Sequence, residues 1–385
     1  MGRFRDALAG PGLAAIAEVK RRSPSAGDLR PGADPARLAG AFERAGAAAV
    51  SVLVDERFGG TTADLAAARS ASNLPLLAKG FFSSPDDLAE LRRNGADAVL
   101  LLLRDLDDAC VRALTARAGE LGLDTLVEAH DAVELQRAVE LDAPVIGINA
   151  RDLETFEIDR GAQLALVEQA PSDRVVVAES GIASRAQGAA AELAGADAIL
   201  VGSALMRAPD PPAKLAELIS RPLVKVCGLT REEDVAAAAE AGADLAGFVL
   251  ARETPRRAPR VLPVPETMLS VAVHVGEIGE EADLVQLYAR ENGHRARDGV
   301  LLRNGREVAR VVDRPWEEED PAHLQRARAA DGRVVLAGGL SPENVAEAIA
   351  AVQPWAVDAS SSLETAPGIK DHARVRAYVE AARCS

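Results

Sequence analysis

The stretch Ile16-Ala-Glu-Val-Lys-Arg-Arg-Ser-Pro-Ser-Ala-Gly27 begins as an apolar strand and turns abruptly into charged residues. Glu18 and Lys20 are two positions apart, so in a strand their side chains point to the same face. Opposite charges on one face, followed by a Ser-Pro-Ser-Ala-Gly turn, are costly in a plain core but suit a strand that opens into an active site. On spacing alone, a surface salt pair at a sheet edge remains the alternative.

Outward from this stretch, short aliphatic strands alternate with alanine-rich helices. The strand candidates are 14–20, 48–54, 75–79, 97–103, 124–128, 144–149, 174–179 and 198–202. The helix candidates are 35–45, 62–70, 85–94, 107–121, 131–140, 160–169, 183–193 and 210–219. Strands that are apolar throughout and separated by helices predict a parallel sheet covered on its outer face. Eight such units predict a closed (β/α)8 barrel of the α/β class.

Composition narrows the class of protein. The 385 residues are 48% hydrophobic and 27% charged, but only 3% aromatic, which indicates globular domains with aliphatic cores. A net charge of -15 argues against a nucleic-acid partner, because such partners require a basic surface. The cysteines Cys110, Cys227 and Cys384 lie too far apart for a zinc motif or a disulfide framework, which favours a metal-free cytoplasmic protein. No apolar run is long enough for a membrane span, so no membrane partner is expected.

Polar residues follow six of the eight predicted strands. They are Glu18 and Lys20, Lys79-Gly80-Phe81, Glu128, Asn149-Ala-Arg151, Glu179-Ser180-Gly181 and Gly202-Ser203. Barrel enzymes carry their chemistry at the carboxyl ends of the strands, and a phosphate commonly binds at the loops after strands seven and eight. Each motif alone is often a simple turn, but six of them in barrel order predict an active site.

Several of these motifs resemble those of indole-3-glycerol phosphate synthase. They are Ile-Ala-Glu-Val-Lys-Arg-Arg-Ser-Pro-Ser, Leu-Val-Glu-Ala-His-Asp, Ile-Gly-Ile-Asn-Ala-Arg-Asp-Leu-Glu-Thr-Phe, Glu-Ser-Gly-Ile and Val-Gly-Ser-Ala-Leu-Met-Arg, within residues 14–207. The resemblance implies closure of the indole ring of 1-(2-carboxyphenylamino)-1-deoxyribulose 5-phosphate, with loss of carbon dioxide and water. It implies no cofactor and no metal.

The resemblance also implies roles for individual residues. Lys79 corresponds to the general acid, Glu128 to the general base of dehydration, and Lys20 to a lysine that contacts the substrate carboxylate and assists as an acid. The supporting and lining residues are Glu18, Asn149, Arg151, Ser23 and Phe81, and the phosphate cradle is Ser180, Gly181, Gly202 and Ser203. Attack of the aromatic ring on a ketone requires an acid at the ketone oxygen, which a lysine can supply. A solvated lysine at a helix cap is the alternative for Lys79.

Three features depart from the family pattern. Gly80 stands where the family usually has an aspartate beside the general acid, so a carboxylate neighbour is missing. The loop at 54–61 is unusual, and the helical extension before the first strand is nearly absent. These differences bear on rate and on closure over the substrate more than on the type of reaction.

A second pattern starts after Arg221-Pro222, which divides the chain into domains at 1–220 and 223–385. The motifs that carry it are Leu223-Val-Lys-Val-Cys-Gly-Leu-Thr, Thr254-Pro-Arg256, Leu336-Ala-Gly-Gly-Leu-Ser-Pro-Glu-Asn344 and Val357-Asp-Ala-Ser-Ser361. They resemble phosphoribosylanthranilate isomerase, which implies an Amadori rearrangement whose product is the substrate of the first domain. The fold expected for the whole chain is therefore two tandem (β/α)8 TIM barrels, the second shortened by one or two helices.

In the second domain, the resemblance assigns Cys227 as general base and Arg256 as the group that holds the anthranilate carboxylate. A lone cysteine is otherwise most often a small buried apolar residue. The phosphate loops correspond to Gly338, Gly339, Ser360 and Ser361. The candidate for the general acid is Asp313, after the strand 307–312, although the glycine-rich loop that usually follows this acid is lost. The family's Gln-Leu-His-Gly here reads Gln286-Leu-Tyr-Ala289.

We therefore expect a bifunctional enzyme of tryptophan biosynthesis that acts on small phosphorylated substrates as a monomer or weak homo-oligomer. One alternative is a monofunctional synthase whose degenerate second barrel is structural or regulatory. Another is a non-catalytic module that binds phosphorylated ligands, because a fold alone does not fix function.

Overall fold

The structure is a computed structural model that describes residues 2–23, 27–152, 154–251, 254–280, 282–291, 294–314 and 320–384. The middle of the predicted turn, at 24–26, lies outside the described residues. The chain divides into two compact units, one of Met1–Ala183 with Gly188–Ile219 and one of Ser184–Gln187 with Ser220–Ser385.

The first part of the chain alternates strands and helices as the sequence predicts. Its elements are α1 (Arg3–Leu8), β1 (Ala14–Val19), β2 (Arg22–Ser23), β3 (Gly27–Asp28), α2 (Pro35–Arg44), β4 (Ala49–Leu53), α3 (Thr62–Ala71), β5 (Leu76–Lys79), α4 (Pro85–Arg93), β6 (Ala98–Leu102), α5 (Asp108–Glu120), β7 (Asp124–Ala129), α6 (Ala132–Glu140), β8 (Val145–Asn149), α7 (Arg160–Val167), β9 (Val175–Glu179), α8 (Arg185–Ala194), β10 (Ala198–Val201), α9 (Ser203–Arg207) and α10 (Pro211–Ile219).

Eight of these strands close into a parallel barrel in the order β1-β10-β9-β8-β7-β6-β5-β4. Closure occurs at β1, where Ile16 pairs with Ala49 on one side and with Leu200 on the other. All eight predicted strands and all eight predicted helices are present, so the barrel prediction is confirmed. Helix α1, the β2–β3 hairpin and helix α9 were not predicted, because each is too short to show a periodic pattern.

The barrel interior is an aliphatic cluster that is closed at the amino-terminal end of the strands by Phe4 and Leu8 of α1. The backbone N–H groups of Phe4 and Arg5 donate to the Asp124 carboxylate at 2.9 and 3.1 Å, which satisfies the first turn of this helix. A fully buried side chain such as Phe4 contributes about 1.5–3 kcal/mol. The short segment before β1 is therefore the plug of the barrel.

Polar side chains begin where this apolar filling ends. Ile16 and Glu18 are both buried and lie two residues apart on the interior face of β1. The same change occurs at the ends of β7 and β9, where Glu128 and Glu179 are the buried polar residues. The strand register therefore directs these carboxylates into one space at the carboxyl end of the barrel.

The second part of the chain contains more strand and less helix. Its elements are β11 (Leu223–Cys227), α11 (Glu232–Ala241), β12 (Leu245–Val249), β13 (Leu269–Val275), β14 (Leu284–Glu291), β15 (His294–Arg303), β16 (Arg306–Val312), α12 (His323–Ala329), β17 (Val334–Ala337), α13 (Val345–Val352), β18 (Ala356–Ala359), β19 (Glu364–Ala366), β20 (Ile369–Lys370) and α14 (His372–Arg383).

Strands β11 to β18 close into a second barrel in sequence order, which confirms the prediction of two tandem barrels. One strand is inverted, because β15 is antiparallel to both β14 and β16. The turn Asn304-Gly305 has left-handed φ angles of 48° and 75°, as a tight hairpin requires. A parallel connection would need a crossover of a dozen residues or more, which the two-residue turn cannot provide.

The second barrel is shorter than expected. In the described part of residues 250–305, no α-helix follows β12, β13, β14 or β15, whereas the sequence suggested the loss of one or two helices. The hairpins β14–β15 and β15–β16 replace the crossovers that would have contained two of them. None of the helices in the described ranges has the length and apolar character that a membrane crossing requires.

Candidate active sites

The first barrel has a cavity of about 520 Å³ at the carboxyl end of its strands. Every site residue that the sequence predicts for this domain lines it. They are Glu18, Lys20, Ser23, Lys79, Phe81, Glu128, Asn149, Arg151, Ser180, Gly181, Gly202 and Ser203. The structure therefore brings together residues that are separated by more than four fifths of the barrel's sequence.

Lys79 lies at the centre of a group of three carboxylates. Its Nζ is 2.5 Å from Glu179 Oε2, 3.6 Å from Glu128 Oε2 and 3.7 Å from Glu18 Oε2. The three carboxylates are almost completely buried, and each comes from a different strand. Buried charges are tolerated only when paired, so this cluster constrains the position of the ammonium group closely.

The cluster sets the protonation of its members. Burial opposes the charged form of Lys79, but the surrounding carboxylates outweigh it and raise the pKa of Lys79. Burial also opposes ionisation of Glu128, but Lys79 and His130 together lower the pKa of Glu128. For Glu179, burial dominates and raises the pKa, despite the short contact with Lys79. The cavity thus holds a protonated lysine beside an ionised Glu128.

Glu128 is prepared to accept a proton. Asn149 Nδ2 donates to its Oε1 at 2.9 Å, and His130 Nε2 lies 3.2 Å from the same oxygen. Oε2 is buried and has no hydrogen-bond partner among the described residues. Burial lowers the pKa of His130, but contacts with Glu128 and Glu134 outweigh this effect and raise that pKa to about 10. The available oxygen therefore belongs to a carboxylate that is kept ionised.

The loop after β1 is fixed by two ion pairs. Lys20 Nζ lies 2.7 Å from Glu18 Oε1, so the two charges of the opening motif pair with each other inside the cavity. Arg21 forms a bidentate contact with Asp64, at 2.7 and 2.9 Å, and also donates to the carbonyl of Gly59. The motif thus supplies a cation to the cavity, Lys20, and a residue that fixes the loop after β4, Arg21.

An apolar wall stands beside the charged cluster. Phe81, Phe156 and Ile158 line the cavity while remaining about two-fifths exposed, with values of 43, 39 and 42%. The Arg57 guanidinium lies 3.9 Å from the centroid of the Phe81 ring, a cation–π contact with the unusual loop at 54–61. A flat aromatic ring can pack against such a wall.

Gly80, the departure beside Lys79, has a steric explanation. A Cβ atom at this position would lie 2.8 Å from Phe82 Cζ and 3.2 Å from a methyl group of Val54. An aspartate could be accommodated only if Phe82 moved. The carboxylates near Lys79 come instead from the barrel strands, so the missing neighbour does not leave the lysine without acidic partners.

The side of the cavity with the predicted phosphate-binding residues contains one cation that the sequence did not single out. Arg207, at the end of α9, lines the cavity together with Ser180, Gly181, Gly202 and Ser203. Its position in Val-Gly-Ser-Ala-Leu-Met-Arg was the available signal. Glu179 was named among the polar strand ends but given no role, because no spacing in the sequence indicates that it reaches Lys79.

The second barrel has a cavity of about 390 Å³. All predicted residues of this domain line it, namely Cys227, Arg256, Asp313, Gly338, Gly339, Ser360 and Ser361. Cys227 ends β11 and Asp313 follows β16, so the two come from different sides of the barrel. The cavity thus has a thiol and a carboxylate on separate walls.

Cys227 is buried next to an ion pair. Lys225 Nζ donates to Asp358 Oδ2 and to Gln286 Oε1, both at 2.7 Å, beneath the thiol. Burial raises the pKa of Cys227, and the nearby Lys225 opposes that rise only in part. The resting group is therefore a neutral thiol.

Asp313 is held by two donors that the family motifs do not contain. The Tyr288 hydroxyl donates to Asp313 Oδ2 at 2.9 Å, and Arg295 Nη1 donates to the same oxygen at 2.8 Å. Arg295 belongs to the inverted strand β15 and stacks on Tyr288, with its guanidinium carbon 4.2 Å from the ring centroid. The inverted strand thus contributes directly to the second site.

Arg256 is connected to the rest of the cavity through an acidic residue. Its Nε donates to Glu364 Oε2 at 2.8 Å, and Lys370 Nζ donates to Glu364 Oε1 at 2.9 Å. Lys370 also donates to the carbonyl of Ser360 at 3.2 Å. Glu364, in β19, therefore orients Arg256. The sequence did not point to Glu364 as a site residue. No cluster of metal-ligand type occurs within the described ranges.

Comparison with known proteins gives a consistent result for each half. Residues 2–218 match the family model of indole-3-glycerol phosphate synthase, and residues 319–381 match that of N-(5'-phosphoribosyl)anthranilate isomerase. The indole-3-glycerol phosphate synthase of Aromatoleum aromaticum is 46% identical over 219 residues, which cover 57% of this chain and 84% of that protein. That of Mycobacterium ulcerans is 45% identical over 215 residues, with coverage of 56% and 79%.

Two solved structures match about two fifths of the chain each. In the crystal structure of TrpF from Jonesia denitrificans, the matched sequence is 29% identical to this chain and the TM-score is 0.33. The match covers 42% of this chain and 97% of that one. The phosphoribosyl anthranilate isomerase of Thermotoga maritima is 25% identical with a TM-score of 0.34, and the match covers 43% and 100%.

Proposed function

Since the chain belongs to the indole-3-glycerol phosphate synthase family, we propose that residues 1–220 close the indole ring and that residues 223–385 prepare the substrate for that step. The isomerase match at 319–381 assigns the second activity, so the chain is a bifunctional enzyme of tryptophan biosynthesis. It combines a decarboxylating lyase with an isomerase and acts on small phosphorylated molecules.

In the second barrel, Asp313 protonates the ring oxygen of N-(5-phosphoribosyl)anthranilate, so that the ribose ring opens. Cys227 as thiolate then removes the proton from C2′, and the resulting enol becomes the ketone of 1-(2-carboxyphenylamino)-1-deoxyribulose 5-phosphate. Arg256 holds the anthranilate carboxylate, since a guanidinium can bind both of its oxygens. The separate walls of thiol and carboxylate support this division of roles.

In the first barrel, Lys79 donates a proton to the ketone oxygen while the aromatic carbon that bears the carboxylate attacks the carbonyl carbon. Carbon dioxide leaves, and Glu128 then takes a proton from the ring carbon next to the nitrogen, while the hydroxyl receives a proton from Lys20 and departs as water, which leaves the C=C double bond of the indole. Lys20 contacts the carboxylate before it is lost, with Glu18, Asn149 and Arg151 as supporting groups. Ser180, Gly181, Gly202 and Ser203 receive the phosphate, and Ser23 and Phe81 line the site.

One observation carries the synthase proposal more than any other. Lys79 Nζ and Glu128 Oε2 are 3.6 Å apart in one cavity, with the lysine protonated and the carboxylate ionised. An acid and a base in these states can act on successive steps at one substrate without exchanging protons with solvent first.

The test uses the full chain with N-(5-phosphoribosyl)anthranilate as the only substrate, and follows both the Amadori product and indole-3-glycerol phosphate by chromatography. We expect Lys79→Ala to abolish the indole product while the Amadori product accumulates. Cys227→Ser is expected to block the first step but to leave ring closure of added Amadori product intact. Normal isomerisation by Cys227→Ser would contradict the assignment of the base.

A monofunctional synthase with an inactive second barrel is the second candidate. The inverted strand β15 and the neutral thiol of Cys227 favour it. A monofunctional synthase would convert added Amadori product but leave phosphoribosylanthranilate unchanged. The same assay therefore distinguishes the monofunctional from the bifunctional candidate. We further propose a cytoplasmic monomer or weak homo-oligomer, which sedimentation velocity over a range of concentrations would check.

A further inference from the structure

Arg314 is a cation of the second cavity that neither the sequence motifs nor the proposed reaction has used. It follows Asp313 directly at the end of β16 and lines the cavity with Gly338, Gly339 and Ser361. A glycine-rich loop is the family's usual continuation after the acid. This chain has an arginine there instead.

The Arg314 side chain lies against the loop after β17. A Cβ atom on Gly339 would collide with Nη2 and with the guanidinium carbon of Arg314, and one on Gly338 would collide with the Arg314 backbone. Both glycines have left-handed φ angles, 88° and 72°, which other residues rarely adopt. The glycine pair therefore leaves room for the guanidinium directly over the backbone of this loop.

The guanidinium of Arg314 has no hydrogen bond or ion pair with any other residue in the described part of the chain, whereas the neighbouring charges are matched. Arg295 donates to Asp313, Arg256 and Lys370 share Glu364, and Lys225 pairs with Asp358. Arg314 is thus a positive charge beside a cavity whose acidic groups, as far as the described residues go, already have cationic partners. Such a charge is suited to an anionic ligand.

We propose that Arg314 binds the phosphate group of the isomerase substrate, together with backbone donors of the loops at Gly338-Gly339 and Ser360-Ser361. The inference rests on the proposed isomerase function and adds a binding residue to it. A guanidinium can form two parallel hydrogen bonds to phosphate oxygens, and its charge offsets that of the phosphate.

The test compares Arg314→Gln and Arg314→Lys with Arg310→Gln in the full chain. Arg310 is an exposed residue of the same strand, so its variant controls for the loss of one positive charge. We expect Arg314→Gln to raise the isomerase KM at least tenfold with kcat within about threefold, since the variant loses a charged hydrogen bond to the phosphate in the bound substrate. Arg314→Lys should recover part of the loss, and Arg310→Gln should change neither constant.

Two competing probes identify the group that is bound. Inorganic phosphate should inhibit Arg314→Gln more weakly than the unmutated chain, by the same factor as the KM change, while inhibition by anthranilate should be unaltered. An unchanged phosphate inhibition constant, a loss confined to anthranilate, or a fall in kcat at constant KM would each overturn the inference. A kcat within about threefold of that of the unmutated chain reports that the second barrel has folded. If the unmutated chain lacks isomerase activity, the proposed function fails instead.

Discussion

The two barrels show different ways of preparing acids and bases on closely related scaffolds. In the first, all barrel strands are parallel, and three strands deliver carboxylates to one lysine, so that Lys79 and Glu128 are already in the charged states that the proposed reaction needs. In the second, one strand is inverted, and the proposed base Cys227 rests as a neutral thiol. The first site is preset by its electrostatics, and the second must ionise its base before it can act.

The difference arises from how each barrel fills its interior. A cluster of opposite charges stabilises ionised groups because each charge lowers the cost of burying the next. In the second barrel, Lys225 is already engaged by Asp358 and Gln286, so only part of its field acts on the thiol. The same burial therefore has opposite outcomes for the two bases, and the following variants test that contrast.

Glu128→Gln should have the largest effect. Loss of the base should reduce the synthase kcat by about 10²–10⁴-fold, the usual contribution of general base catalysis, and leave isomerisation unchanged. Steady-state assays of each reaction separately would measure this. Glu140→Gln, at the exposed end of α6, is the matched control. A loss below threefold would remove Glu128 from the mechanism.

Glu179→Gln tests whether the nearest carboxylate controls Lys79. A charged hydrogen bond is worth about 1.5–3 kcal/mol, so the synthase kcat should fall by roughly 10–100-fold, with a smaller change in KM. The pH profile should also change, because a positioning carboxylate alters the titration of Lys79. If the synthase kcat and its pH profile both stay constant, Glu179 does not control Lys79 and contributes only to packing.

The pH dependence of the two reactions should differ. Burial raises the pKa of Cys227, so the thiolate fraction, and with it the isomerase kcat/KM, should rise up to tenfold per pH unit from pH 6 to 8. Glu128 has a pKa of about 2 and Lys79 a raised one, so neither titrates over this range. A change in the synthase rate near pH 8 would report Glu179, whose pKa burial raises to about 8, and should be absent in Glu179→Gln. Parallel profiles in one buffer series would measure this, and identical slopes would contradict the contrast.

Tyr288→Phe should have a moderate effect on the second barrel alone. It removes one hydrogen bond to Asp313 while Arg295 keeps the other, so we expect a decrease in the isomerase kcat of about 2–10-fold. Tyr378→Phe is the control, since this buried tyrosine of α14 lacks a hydrogen-bond partner for its hydroxyl in the described residues. Equal losses in the two variants would indicate a general packing defect.

His130→Gln should have the smallest effect, which is on stability. The pKa of His130 is raised to about 10, so its protonation stabilises the fold fully below pH 6.5, and this contribution is lost as the pH rises through 10. The free energy of unfolding of the variant should therefore fall most at pH 6 and least near pH 10. Urea titrations at both pH values would measure it, and a pH-independent deficit would argue for lost packing instead.

The amino-acid sequence by itself determined the first barrel and most members of both sites. Apolar strands at regular spacing can bury both faces only in a covered parallel sheet, and the residue that ends such a strand must lie at one rim. For that reason Glu18, Lys79 and Glu128 could be placed in one cavity before any coordinates, and all of them line it. The chemical types of these residues then restricted the reaction.

Only the tertiary structure decided which of these groups touch. Glu179 reaches Lys79 across the barrel, a contact between residues 100 positions apart that no local pattern encodes. The inversion of β15 brings Arg295 to Asp313, and the β17 loop brings Gly339 under Arg314. Hairpin and crossover differ by a few turn residues in sequence, but they reverse the direction of a strand and hence the side chains that it supplies to the site.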